Sequence, residues 1–533
     1  MPTPFAADLI LENGNMWTAG QRRTSRRVSV AIRADRIIAI GNSDDLDALS
    51  ESGTERVDLS GKMIIPGFCD AHIHLEKYAR SLDMVDCETA RIDIALERLS
   101  ERASSLPPGE WLLGHGWRLD QWGRFGTRAE LDAVSQGHPA YITSKSLHAA
   151  WANSAALQLA GISSDSADPE GGTLMRDVQG ACTGILLENA LPLVAGCIPA
   201  PSHQRLATKL MRAQEQLHQY GITAVHDFDR TSCFRALQDL HTSRQLQMRV
   251  LKQVHWADLD ASIQAGLQSG FGDEWLRIGQ SKFFADGALG PHTAFMLEPY
   301  EGTDDCGMAT IDPEDLYQRM KRSVENKLAI SVHALGDAAN RMVLTLFERL
   351  AALGLPAPPL PHRIEHLQLI HPDDLPRIKR KDLVISMQPY HAISDMEIAQ
   401  EHWGDTRCAT AYAWRSVLEE DAILVFGSDA PVEIPSPQLG IHAAVTRRKH
   451  HGEPGQDGWI PSQRISRVEA LTAYTATPAS AAGTAAIQGQ LKPGYLADIQ
   501  VYDIHLLECE IDHMLTANPV GLLVGGKWVL RQF

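Results

Sequence analysis

Met63-Ile-Ile-Pro-Gly-Phe-Cys-Asp-Ala-His-Ile-His-Leu-Glu76 is an apolar run that ends in a histidine pair, His72 and His74. Residues two apart on a strand point to the same face, so both imidazoles leave one strand end together and can share one metal ion. A single His-x-His pair also serves an ordinary half-buried strand. The reading therefore turns on whether other strand ends supply further ligands.

Seven more apolar, β-rich runs follow, at 222–228, 249–255, 276–284, 328–333, 363–369, 383–389 and 423–428. With the first they make eight strands separated by helix-length segments, as a closed (β/α)₈ barrel requires, and continuous apolar runs suit strands buried on both faces. Shorter strands with turn signals lie at 8–12, 28–33, 36–40 and 56–59, and again at 491–503 and 521–530, where Gly525-Gly526 marks a hairpin. The predicted fold class is α/β. A TIM-like (β/α)₈ barrel takes residues 66–80 and 221–486, and a small β-sandwich forms from both chain ends, 1–65 and 487–533. Residues 81–220 are too long for one connection and are expected to fold as an insertion over the barrel mouth.

The composition, 44% hydrophobic and 22% charged, is that of a globular chain with ample core. With 49 Lys and Arg against 66 Asp and Glu the formal charge is -17, which argues against nucleic acid and anionic membrane surfaces as partners. The basic cluster Arg447-Arg448-Lys449 reads as a solvated helix face. Eight scattered cysteines without a Cys-x-x-Cys pair indicate neither a disulfide framework nor a thiolate zinc site, and fit a reducing cytoplasm. No early basic-then-apolar leader and no run of about 18 apolar residues is found, so a soluble, cytoplasmic protein acting on a small molecule is expected.

Barrel catalysis is built at the carboxyl ends of strands. There the sequence places Lys282 (fourth strand), His333 (fifth), His366 (sixth) and Asp429 (eighth). Each alone is equally a satisfied polar residue, and a lysine entering an apolar barrel is costly as a bare cation. Together with His72 and His74 they form a constellation. His148 and Trp122 in the insertion and His292 after the fourth strand are candidate substrate contacts. The tryptophans of the insertion, Trp111, Trp117, Trp122 and Trp151, more commonly serve as core or cover.

The chain resembles the amidohydrolase superfamily, in particular the branch that includes N-substituted formamide deformylases. The resemblance rests on Pro66-Gly-Phe-Cys-Asp-Ala-His-Ile-His74, Trp151-Ala-Asn-Ser-Ala-Ala-Leu157, Gly221-Ile-Thr-Ala-Val-His-Asp227, Phe284-Ala-Asp-Gly-Ala-Leu-Gly290, Arg363-Ile-Glu-His366, Gly427-Ser-Asp429 and Ala497-Asp498. It implies two divalent metal ions, zinc or a substitute. His72, His74 and Asp429 would hold the first, His333 and His366 the second, and Lys282, carboxylated by CO₂, would bridge both. The implied reaction is hydrolysis of a C–N bond by a metal-bridging hydroxide, with Asp429 as ligand and proton shuttle. Homo-oligomers are common among relatives, which leaves oligomeric state open. Two departures bear on substrate identity: Pro291-His292 where Ser-Arg is expected, and Leu75-Glu-Lys-Tyr78, which is similar to cytosine deaminases.

Two other readings compete. A mononuclear aminohydrolase that deaminates a heterocycle would lack the bridging lysine and would place a glutamate shortly after the fifth-strand histidine, where Ala334-Leu-Gly-Asp337 stands. A non-catalytic assembly protein on a barrel scaffold would be expected to lose ligands, and none is lost.

Overall fold

The computed structural model describes residues 6–145, 147, 149–169, 171–199, 202–290 and 292–533, and within them the eight apolar runs form one parallel sheet. Its strands are β1 (Phe68–Ile73), β2 (Ile222–Asp227), β3 (Arg249–His255), β4 (Leu276–Phe284), β5 (Ile330–Ala334), β6 (His362–His366), β7 (Leu383–Met387) and β8 (Ile423–Phe426). They are hydrogen-bonded in chain order, every pairing parallel. Strands such as Leu-Val-Ile-Ser-Met in β7 are buried along their whole length, as two-sided cover demands. The sixth run ends earlier than its apolar pattern suggests, because His366 and Leu367 adopt left-handed backbone, with φ of 78° and 43°, and leave the strand.

The seam between β8 and β1 is closed just beyond the strands themselves. Asp429 N donates to His72 O at 2.7 Å, and His74 N donates to Ala430 O at 2.9 Å. The buried Asp70 carboxylate staples the same seam, accepting from His72 N (3.1 Å), Ser428 N (3.0 Å) and Ser428 Oγ (2.5 Å). Gly427 is required here, since a Cβ would lie 2.4 Å from His72 N. The two ends of the histidine-to-aspartate constellation thus meet where the barrel closes.

The helices between strands follow ordinary start signals. Helix Pro313–Glu325 has Asp312 as its cap, accepting from Glu314 N and Asp315 N, has Pro at its first position, and buries Leu316, Tyr317, Met320 and Val324 on one face.

Both chain ends share a second sheet. Leu9–Met16, Ser25–Arg33, Arg36–Gly41, Glu55–Asp58 and Met63–Pro66 join Ile499–Tyr502, Gly521–Val524 and Lys527–Arg531 in a single eight-stranded sheet, with Met63–Pro66 antiparallel to Ile499–Tyr502. Alternate residues, among them Leu9, Leu11, Val30, Ile32, Ile499 and Val501, share one core. A buried two-point ion pair ties this sheet to β3: Arg249 donates to both oxygens of Asp498, at 2.6 and 2.9 Å.

By contact, the chain divides into two compact units, Met1–Leu75 with Leu210–Phe533, and Glu76–Lys209. The second has its own six-stranded sheet, ordered Gly172–Arg176, Cys182–Glu188, Ala149–Ala152, Ala140–Ser144, Leu112–Trp117 and Val85–Asp86. Its core gathers Trp117, Trp151, Leu99 and Ile142.

One expectation is overturned. Arg447 and Arg448 are buried rather than solvated: Arg447 lies between the rings of Trp414 (4.3 Å) and Trp459 (5.0 Å), and its guanidinium donates to the carbonyls of Trp459 and Tyr412. A guanidinium is weakly hydrated and stacks on aromatic faces, so it tolerates a site that an ammonium would not. All eight cysteines are free thiols, and no helix among the described residues is long and apolar enough to cross a membrane.

Candidate metal centre

Five histidine and carboxylate side chains and one lysine converge at the carboxyl ends of β1, β4, β5, β6 and β8. Asp429 Oδ1 lies 3.5 Å from His72 Nε2 and 3.4 Å from His74 Nε2. These three donors form one set capable of holding a cation, and Asp429 joins a second set with His366 and His391. The His333 and His366 rings are 4.6 Å apart, although His333 is in neither set.

The second nitrogen of each imidazole is already engaged. His72 Nδ1 meets Glu365 Oε2 at 2.7 Å, His74 Nδ1 meets Asp229 Oδ1 at 3.2 Å, and His366 Nδ1 meets Gln388 Oε1 at 2.8 Å. Each of these partners accepts, so Nδ1 carries the proton and Nε2 keeps its lone pair. His333 is turned the other way: its Nε2 bonds Gly287 O at 2.9 Å, leaving Nδ1.

Burial keeps the His72, His333 and His366 rings neutral, as metal ligation requires. It pushes His72 down to about 4, against the opposing pull of Asp429 and Glu365. His333 falls to about 3 through burial and the neighbouring Lys282 charge, and His366 is held well below its ordinary value by burial and then by His333. Asp429 stays below the usual carboxylate range, because the groups around it, His72, His74, His391 and the buried Lys282, together outweigh the burial that would raise it. Lys282 is buried, its nitrogen 4.8 Å from the Phe228 ring centre and 5.1 Å from that of Phe284.

Two ligand-type residues sit on strained backbone. His366 (φ 78°) and Asp429 (φ 59°) both occupy the left-handed region, where non-glycine residues pay about 1–3 kcal/mol. Each is over-determined by neighbours: Asp429 by its backbone bond to His72, and His366 by Gln388.

Residues that the sequence reading did not single out hold the constellation. Glu365 accepts from Arg363 Nε (2.7 Å), Ser331 Oγ (2.7 Å) and His72, while Arg363 also donates to Ala71 O, Ser386 Oγ and His226 Nδ1. Burial alone would raise Glu365, but Arg363 and His72 keep it well below its ordinary value. Asp227 and Lys252 form a buried ion pair at 3.0 Å beneath the loop that carries Asp229. Asp227, Asp229 and Cys233 make a third donor set, in which Asp227 is already paired with the Lys252 ammonium and Asp229 with His74. His391 is on the helix Pro389–Ser394, three residues beyond Gln388. The Glu inside Arg363-Ile-Glu-His366 and the Gln-Pro step after the seventh strand were visible signals. His391 lay past the strand end at which the pattern stopped.

The candidate substrate contacts have the following surroundings. Trp122 belongs to the second unit, stacked on Trp117 (5.9 Å), edge-on to Trp151 (6.1 Å) and donating to Thr89 O at 2.9 Å. His292 stacks on Tyr300 (4.6 Å) and meets His402 edge-on (4.1 Å). His148 lies outside the described residues.

Comparison with known proteins gives the same direction. A sequence model described as "Amidohydrolase family" matches residues 55–530. The chain is 32% identical to Protein LONG AFTER FAR-RED 3 of Arabidopsis thaliana over 546 residues, covering 99% of this chain and 92% of that one. It is 28% identical to the N-substituted formamide deformylase of Arthrobacter pascens, covering 98% of each. Among solved structures, an uncharacterized metal-dependent hydrolase from Pyrococcus horikoshii is 30% identical, with a TM-score of 0.79 over 95% of this chain and 99% of that one.

Proposed function

The chain belongs to the amidohydrolase family, and on that premise we propose that it is a metal-dependent hydrolase that cleaves the C–N bond of a small amide-like molecule. One observation carries the reading: His72, His74 and His366 each have Nδ1 tied to an acceptor and Nε2 left for a ligand, with a buried carboxylate oxygen, Asp429 Oδ1, among them. Asp429 Oδ1 has no hydrogen-bond partner among the described residues, which is costly unless a cation or substrate supplies one.

Neutral imidazoles and a carboxylate are ordinary zinc ligands, so the residues fit a divalent metal. His72, His74 and Asp429 would hold one ion and His333 with His366 a second. Lys282, as its carbamate, would lie between them, which replaces a buried cation by an anion with two oxygens. Bound metal would polarise a carbonyl and make water nucleophilic at neutral pH. The chain's own residues do the rest. Glu365 and Asp229 fix the orientation of His72 and His74, and Asp429, held ionised, can accept a proton at Oδ1 and return it to a departing nitrogen. Lys282 separates this reading from a mononuclear deaminase, which has no use for a lysine there.

The test pairs metal analysis with a substrate screen. Purified protein should carry two divalent ions per chain, and His366→Ala should lose at least one. Lys282→Ala should lose the binuclear site, and short carboxylic acids should restore part of the activity by standing in for the carbamate. Zinc-loaded parent should hydrolyse at least one member of a panel of N-formyl, N-acyl, urea and cyclic-imide compounds. Equal metal in the variants and parent, or no turnover across the panel, overturns the proposal.

A further inference from the structure

Four buried side-chain atoms next to His366 have no hydrogen-bond partner among the described residues: Gln368 Oε1, Gln388 Nε2, His391 Nε2 and Asp429 Oδ1. Their residues are between 3% and 9% exposed. Three of the four residues are tied to a neighbour through another polar atom. Gln388 Oε1 takes His366 Nδ1 at 2.8 Å, Gln368 Nε2 lies 3.4 Å from His391 Nδ1, and the His391 ring stacks parallel to His366 at 6.2 Å with an interplanar angle of 9°. His391, His366 and Asp429 offer donor atoms within 4.8 Å of one another.

An unpaired buried polar atom is expensive, and most buried polar atoms in a folded chain find partners. Here several such atoms gather on three neighbouring residues of the β6 and β7 ends, beside a ligand-type histidine. The unpaired halves are also of opposite kind. The proton on His366 Nδ1 obliges Gln388 to present its oxygen there, so the Gln388 nitrogen is left as a donor. With Gln368 Nε2 donating to His391 Nδ1, the Gln368 oxygen is left as an acceptor and His391 Nε2–H as a second donor. A carbonyl alone would satisfy only the donors. A group carrying an N–H beside a C=O would satisfy both.

We propose that Gln368, Gln388 and His391 form the subsite for the amide portion of the substrate, with Gln368 Oε1 accepting its N–H and Gln388 Nε2 and His391 Nε2 donating to its oxygen. The substrate class is therefore secondary amides, ureas or cyclic imides, and excludes N,N-disubstituted amides, which bring no donor. The inference rests on the hydrolytic reading for the identity of the ligand, but the subsite can be tested without turnover. A site built around a hydrogen bond rejects the analogue that lacks it, because its own buried group is then left unpaired.

The probe is a pair of lactams, 2-pyrrolidinone and N-methyl-2-pyrrolidinone, titrated calorimetrically into zinc-loaded enzyme. The first should bind at least about tenfold more tightly, the factor given by one lost buried hydrogen bond. Gln368→Leu should erase that difference. His391→Phe, which keeps a flat ring in the stack, should weaken the unmethylated lactam about tenfold with two ions still bound. In the substrate panel, kcat/KM for a secondary amide should exceed that for its N-methyl counterpart by at least the same factor. Equal binding of both lactams by the parent overturns the proposal and needs no variant to fold. Loss of an ion from His391→Phe also overturns it, by making His391 a metal ligand. Lactam discrimination without turnover of any panel compound would leave the subsite standing and remove the hydrolytic reading. Turnover without discrimination would do the reverse.

Discussion

Two buried polar clusters flank the histidines of the barrel, and they differ in how completely they are paired. Around Arg363 and Glu365 the guanidinium donates to four residues, Glu365, His226, Ala71 and Ser386, and the carboxylate is met by Arg363, Ser331 and His72. Around Gln368, Gln388 and His391 each side chain spends one polar atom on a neighbour and leaves another without a partner. An unsatisfied buried atom costs about 1–3 kcal/mol. The first cluster is therefore fit to hold a ligand histidine in place, and the second is fit to receive a ligand. The same low dielectric drives both.

The comparison breaks most readily at Asp429, which touches both clusters, facing His72 and His74 on one side and grouping with His366 and His391 on the other. Its carboxylate stays ionised because His72, His74, His391 and Lys282 together outweigh its burial. Asp429→Asn keeps size and one ligating oxygen but removes the base. Turnover should fall by about 10²–10⁴, the range for general acid–base catalysis, with substrate binding much less affected. A turnover within a few-fold of the parent at matched metal content would reduce Asp429 to a passive ligand.

The next largest effect tests the paired cluster. Glu365→Ala strands the buried Arg363 charge and should destabilise the metal-free protein by about 3–5 kcal/mol, measured by denaturant unfolding. Glu365→Gln keeps an acceptor for Arg363 and should cost less, while lowering metal affinity about 10- to 100-fold through a loosened His72. A loss under about 1 kcal/mol for the alanine variant would mean the network is not what holds β1 to β6.

How much of this was legible depended on whether the signal was local. The alternation of apolar runs and helical segments located all eight barrel strands, and it set the bounds of β3 and β4 at 249–255 and 276–284, because their ends coincide with changes in hydropathy. β6 ends at His366 for a reason hydropathy does not carry, a left-handed turn imposed by the site. That His72, His74, Lys282, His333, His366 and Asp429 stand at or just past strand ends could be read, because the apolar runs mark those ends. His391 could not, since it stands on a helix after a strand end and is brought to His366 only by the fold. Nor could the seam: that Asp70 would staple Ser428, 358 positions later, is a property of closure rather than of any segment. Arg447 was misplaced for the same reason, its burial being set by Trp414 and Trp459 from separate stretches.

The smallest expected effect carries the distinction between paired and unpaired groups into the second unit. Trp122 was a candidate for substrate binding, yet its indole N–H already donates to Thr89 O at 2.9 Å and its ring is stacked on Trp117 and set edge-on to Trp151. A side chain whose polar atom is satisfied and one of whose faces is stacked has less to offer a ligand, so by the same logic as Arg363 it is expected to act as a structural residue. Trp122→Phe keeps much of the ring and removes one hydrogen bond, and should cost about 1 kcal/mol of stability. The KM for the best panel substrate should stay within about twofold, since RT is close to 0.6 kcal/mol and no substrate hydrogen bond is lost. A tenfold rise in KM with unchanged unfolding would show a fully paired side chain binding substrate, and pairing would then no longer separate the groups that hold from those that receive.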